Sequence, residues 1–122
     1  MPATILVVDD DPTIRTLITR VLTRVGYRVQ EAEDGVSALD QIAMVRPALV
    51  LTDLMMPRMK GDALITQVMQ DPDPIPCILM SAFHTDTSLL PVPFLSKPFA
   101  IPDLEHLVAA ALLPPSAQTR TT

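Results

Sequence analysis

Ile5-Leu6-Val7-Val8-Asp9-Asp10-Asp11 decides the reading of this chain: four apolar residues, three of them β-branched, run straight into three carboxylates. A run without polar alternation is what a parallel strand looks like when crossover helices bury both of its faces. Ala48-Leu49-Val50-Leu51, Cys77-Ile78-Leu79-Met80 and the shorter Phe94-Leu95 have the same character. Tyr27-Arg28-Val29-Gln30 alternates apolar with polar and is expected as an edge strand.

Helical spacing fills the intervals. Ile14, Leu17, Ile18, Val21, Leu22 and Val25 recur at helical offsets, with Asp11 placed to cap, Pro12 at the first helical position and Gly26 just past the last turn. Val36, Leu39, Ile42 and Ala43 mark a second helix, and Ala63, Leu64, Val68 and Met69 a third. Ile101, Leu104, Leu107, Val108 and Ala111 mark the last. Alternating strands and helices predict an α/β fold, an open parallel sheet with helices on both faces. In such a sheet the functional groups gather beyond the carboxyl ends of the strands.

The length of 122 residues suits one domain, and 48% hydrophobic content suffices for its core. The expected domain covers residues 1–113, with a polar tail at 114–122. No apolar run approaches the ~18 residues of a membrane span. Met1-Pro2-Ala3-Thr4 carries no signal-peptide features, and the lone Cys77 forms no internal disulfide, so the expected location is the cytoplasm. Nine Lys and Arg against fourteen Asp and Glu argue against direct nucleic-acid binding, which needs clustered positive charge. Cys77 is expected to be a buried apolar residue, the methionines chiefly packing, and His84 and His106 exposed.

Every buried run ends in a polar group: Asp9 and Asp10 after the first, Asp53 after Thr52, Ser81 after Met80, and Lys97 after Ser96. If the first and third strands are neighbours, Asp9, Asp10 and Asp53 meet in one cleft flanked by Ser81 and Lys97. Carboxylates that close repel unless a hard divalent cation joins them, and Mg²⁺ with its preference for oxygen is the natural candidate. Mg²⁺ commonly shares its shell with phosphate oxygens, and a carboxylate can act as a nucleophile toward phosphorus. Phosphoryl transfer onto an aspartate is the chemistry this set invites.

Ile-Leu-Val-Val-Asp-Asp-Asp at 5–11, Leu-Val-Leu-Thr-Asp-Leu-Met-Met-Pro at 49–57, Leu-Met-Ser-Ala at 79–82 and Lys-Pro-Phe at 97–99 resemble the receiver domain of two-component response regulators. The resemblance spans almost the whole chain and implies a flavodoxin-like, doubly wound five-stranded sheet of order 2-1-3-4-5. It implies that Asp53 is the phosphoacceptor, served by a histidine kinase or phosphotransfer protein, and that an unknown downstream protein reads the switched surface. It further implies Mg²⁺ held by Asp10, Asp53 and the backbone carbonyl of Met55, with Asp9 acting through water. Ser81 matches the switch hydroxyl, Lys97 the cation that pairs with the phosphoryl group, and Phe94 the aromatic switch position. Lys97-Pro98 matches a peptide that is typically cis in this family. The expected role is a signalling receiver with self-phosphotransfer and autodephosphorylation only, not a turnover enzyme.

The chain departs from the family between Ser81 and Lys97. The fifteen residues 82–96 leave little room for a complete fourth helix, and Pro91-Val92-Pro93 forbids helical continuation. The fourth helix is therefore expected to be reduced or missing, which puts the family's usual dimer face in doubt. Lys60 stands where an acidic residue commonly precedes the matched Gly61. Met55 and Phe83, each two residues past a site residue, flank the implied path of the attacking water, and their apolar character predicts a long-lived acyl phosphate. A phosphorylation-independent adaptor using the same fold is the alternative that the shortened segment favours. An aspartyl phosphatase fits less well, because Met55 occupies the position of its second carboxylate.

Overall fold

Successive residues of a strand leave the sheet on opposite sides, and that alternation sorts the buried runs into two half-cores. The structure, a computed structural model, describes residues 2–82 and 91–113. Its elements in chain order are β1 (Thr4–Val8), α1 (Pro12–Val25), β2 (Arg28–Ala32), α2 (Gly35–Met44), β3 (Leu49–Asp53), α3 (Gly61–Met69), β4 (Cys77–Ser81), β5 (Phe94–Ser96) and α4 (Ile101–Ala111). The strands form one parallel sheet in the order β2-β1-β3-β4-β5. Leu6, Val8, Val50, Cys77 and Leu79 pack with Ala38 of α2 and Leu64, Ile65 and Val68 of α3. On the other side Ile5, Val7, Leu49, Leu51, Ile78 and Met80 meet Ile18, Val21 and Leu22 of α1 and Leu104 and Val108 of α4.

The punctuation of α1 is as expected. The Asp11 carboxylate accepts the Thr13 N–H at 2.9 Å, Pro12 opens the helix, and Gly26 ends it at φ 117, a left-handed conformation suited to glycine. Three expectations shift. Tyr27 is not in the edge strand, because its N–H closes the end of α1 on the Leu22 carbonyl, and β2 instead runs Arg28–Ala32 beside Thr4–Val8. The buried stripe of α3 is Gly61, Leu64, Ile65 and Val68, while Ala63 and Met69 are exposed. Leu17, Val25 and Ile101 keep helical spacing but lie exposed at the margins of their apolar faces.

Twelve residues separate β4 from β5. Among the described residues four helices are found, and residues 91–93 are not helical. Four helices beside a five-stranded sheet agree with a reduced fourth helix, although residues 83–90, and with them Phe83 and His84, lie outside the described residues. The expected tail at 114–122 does too.

Candidate functional site

Four strand ends meet at one edge of the sheet. Past β1 the ladder continues for one more bond, Asp9 N–H to the Ala32 carbonyl at 3.1 Å, which carries Asp9 into full burial while Asp10 stays exposed. Each carboxylate oxygen of Asp9 has a donor: the Asp11 N–H at 2.9 Å and the Lys97 ammonium at 2.6 Å. Its carbonyl accepts from Arg15 Nη1 at 2.7 Å, and the same guanidinium pairs with Glu31 at 3.0 Å. Buried polar groups are tolerated when paired in this way.

Asp53, the last residue of β3, is 8% exposed. Its main chain is held by close approach of α3: a Cβ on Gly61 would fall 2.1 Å from the Asp53 carbonyl oxygen, so any side chain at 61 would force α3 and β3 apart. The Gly61 N–H closes the intervening loop on the Leu54 carbonyl at 2.9 Å. Ser81 is buried at the end of β4 and pairs in register with Ser96. The Lys97 N–H then bonds the Ser81 carbonyl at 2.9 Å, which fixes where the lysine leaves β5. The Lys97–Pro98 peptide is cis.

Lys97 Nζ bridges Asp9 Oδ2 at 2.6 Å and Asp53 Oδ1 at 3.1 Å. One oxygen each of Asp9, Asp10 and Asp53 lies within 4.8 Å of the others. Burial pushes the Asp53 carboxyl above its ordinary pKa; Lys97 opposes the rise and Asp9 adds to it. Burial alone would lower the Lys97 pKa, but its hydrogen bond to Asp9 and the charges of Asp9 and Asp53 outweigh it and hold it above the ordinary lysine value. Two anions thus keep the ammonium charged, and the ammonium offsets only part of three carboxylates.

The structure therefore gathers Asp9, Asp10, Asp53 and Lys97, with Ser81 on the adjacent strand end. Met55, two residues past Asp53, is 47% exposed between the buried Leu54 and Met56. Phe94 opens β5 opposite Leu79, half-buried against the core, two residues before the Ser96 that pairs with Ser81. Cys77 is buried as expected, its thiol pushed up to about 12 by burial, and His106 is exposed. Sequence reasoning passed over Arg15, Arg58 and Asp34. Asp34 carried a readable signal, an acidic residue directly before a helix, but the two arginines act through tertiary contacts that no local pattern announces.

A 2-1-3-4-5 sheet with this acidic edge defines the receiver class of two-component signalling. The chain belongs to the response regulator receiver domain family, whose model matches residues 5–109. The response regulator MprA of Mycobacterium sp. (strain KMS) is 39% identical over 118 residues, covering 92% of this chain and 51% of that protein. This chain thus spans about half the length of the curated relatives it matches. The signal receiver domain of a signal transduction histidine kinase from Syntrophus aciditrophicus is similar at a TM-score of 0.84 and 30% identity, covering 98% of this chain and 95% of that one. The receiver domain of NtrX from Brucella abortus gives 0.80 at 32% identity, covering 88% and 97%. Among the described residues no helix is long and apolar enough to cross a membrane.

Proposed function

We propose that Asp53 accepts a phosphoryl group from a phosphohistidine of a histidine kinase or phosphotransfer protein in the cytoplasm, and that the acyl phosphate changes the surface read by a downstream protein. The observation that carries this reading is the Lys97 ammonium lying between Asp9 and Asp53 at the sheet edge, 3.1 Å from the Asp53 carboxylate. An Asp53 oxygen attacks phosphorus, an O–P bond forms, and the P–N bond to the donor imidazole breaks with its electron pair going to the ring nitrogen. Lys97 offsets part of the rise that burial imposes on the Asp53 carboxyl, and it is placed to pair with the added phosphoryl charge. The Ser81 hydroxyl, one strand over, donates to a phosphoryl oxygen, and the resulting shift of that strand end is passed to Phe94.

The donor set fits Mg²⁺. It consists of hard carboxylate oxygens carrying more negative charge than one ammonium neutralises. Asp10, Asp53 and the Met55 carbonyl would be the direct ligands, as the family resemblance implies, and the donors already on both Asp9 oxygens suit its implied contact through water. The ion when bound offsets charge on the phosphoryl oxygens during transfer. Hydrolysis of the acyl phosphate returns the domain to its starting state, so the role is that of a switch rather than a turnover catalyst.

Intact mass after incubation with acetyl phosphate and Mg²⁺ tests the reading. The expected result is one added phosphoryl group that requires Mg²⁺ and is lost in Asp53→Asn. No addition to the wild-type chain under any Mg²⁺ concentration contradicts it and favours the phosphorylation-independent adaptor.

A further inference from the structure

The seven residues between β3 and α3 carry Met55, and one arginine ties them to a distant part of the fold. Arg58 has φ 66, a left-handed conformation that costs energy for a residue with a side chain. Its guanidinium reaches Asp34, directing Nε at 2.7 Å and Nη2 at 2.6 Å to the same carboxylate oxygen. The other Asp34 oxygen accepts the Ser37 N–H at 2.8 Å and caps α2. That carboxylate is 3% exposed, whereas half of the Arg58 side chain is in solvent. The Ser37 N–H and, against the effect of burial, Arg58 hold the Asp34 carboxyl below its ordinary pKa. Met59, the next residue, lies against Gly35, where a Cβ would approach its side chain to 2.7 Å.

Burial of Leu54 and Met56 sets the depth of this loop, but hydrophobic burial has no direction. The bond between Gly61 and Leu54 fixes the loop's two ends. A hydrogen bond and a close ion-pair contact from one planar guanidinium to an acceptor locked by a helix cap supply direction to its middle. We infer that the Arg58–Asp34 pair is a clamp that orients the Met55 carbonyl toward Asp10 and Asp53 and so raises Mg²⁺ affinity, with Arg58 as a positioning residue. The inference rests on the reading above in which that carbonyl is a ligand.

The test is Mg²⁺ titration by calorimetry, with thermal unfolding of the same proteins in the absence of Mg²⁺. Asp34→Asn keeps a capping oxygen but loses the charge, whereas Arg58→Gly removes the guanidinium while making the left-handed backbone easier to hold. Each single variant is expected to bind Mg²⁺ about tenfold more weakly, the lower end for outer partners of metal ligands. The double variant is expected to lose no more than either single one, and Arg58→Lys to recover part of the loss. Wild-type affinity in both single variants, additive losses in the double variant, or losses that simply follow melting temperature across the series would each overturn the clamp. Failure of the wild-type chain itself to bind Mg²⁺, with Asp10→Asn indistinguishable from it, would overturn the metal reading and the clamp together.

Discussion

Replacing Gly61 by alanine sets main chain against main chain at the proposed phosphoacceptor. The new Cβ would lie 2.1 Å from the Asp53 carbonyl oxygen, 3.0 Å from its carbon and 3.1 Å from Leu54 Cα, so no side-chain rotation relieves the contact. An ordinary contact begins near 3.4 Å, and α3 and the end of β3 must part by more than an ångström. Overpacking of this kind costs about 1–3 kcal/mol, and the shift required places it at the upper end. Alanine regains at most about 1 kcal/mol through its greater helix propensity. The net loss of about 2 kcal/mol corresponds to a fall in melting temperature of roughly 8 °C for a domain of this size. The same displacement moves Asp53 relative to Lys97, and a misplacement of about 1 Å can cost on the order of a hundredfold in rate. Scanning calorimetry and initial phosphorylation rates with acetyl phosphate measure both effects. Gly26→Ala is the control: at φ 117 it strains the backbone but meets nothing within 4 Å and lies away from the site, so stability falls while the phosphorylation rate holds. A Gly61→Ala protein that melts like wild type and phosphorylates at the wild-type rate would refute the reasoning.

Because the Asp53 pKa is raised in the folded state, its ionised form opposes folding at neutral pH, and stability from this group is lost as pH rises through the folded pKa. Asp53→Asn is therefore expected to melt higher than wild type at neutral pH, with the advantage shrinking on acidification toward the ordinary carboxylate range; an advantage that grows in acid contradicts the assignment. Lys97→Met leaves the fully buried Asp9 carboxylate with the Asp11 N–H as its one donor among the described residues, at a cost of about 3 kcal/mol in chemical denaturation. The raised Lys97 pKa means that this difference persists through neutral pH and closes only as pH rises through the folded lysine pKa, so a difference already gone at neutral pH would count against it. Asp11→Ala removes the α1 cap and is expected to cost about 1 kcal/mol in the same assay while leaving acetyl-phosphate labelling intact. Loss of labelling in that variant would place Asp11 in the site rather than the cap.

What the sequence disclosed was whatever one segment dictates by itself. The apolar runs ending in Asp9, Asp53 and Ser81 showed both the sheet and its polar edge, because strands buried on both faces leave polar groups only at their ends. Asp11, Pro12 and Gly26 showed α1 for the same reason, since caps are local chemistry. The strand order came from family resemblance, and the structure has that order. The features that stayed hidden depend on partners far along the chain. Tyr27 alternates like a strand residue but is claimed by the end of α1, and the exposed Leu17 has the spacing of a core residue. Gly61 reads as a turn glycine until the carbonyl of Asp53 is found where its Cβ would stand. Arg58 meets Asp34 across 24 residues of sequence, a contact without local signature.

The central claim is that Asp53, among three neighbouring carboxylates, carries the phosphoryl group. Borohydride reduces an acyl phosphate and leaves free carboxylates alone, so treatment with acetyl phosphate and Mg²⁺, borohydride reduction and peptide mapping reads the site directly. Homoserine at position 53, with Asp9 and Asp10 unchanged and no conversion without Mg²⁺, is the predicted result. Conversion at Asp9 or Asp10 instead, or none at position 53, would contradict the account.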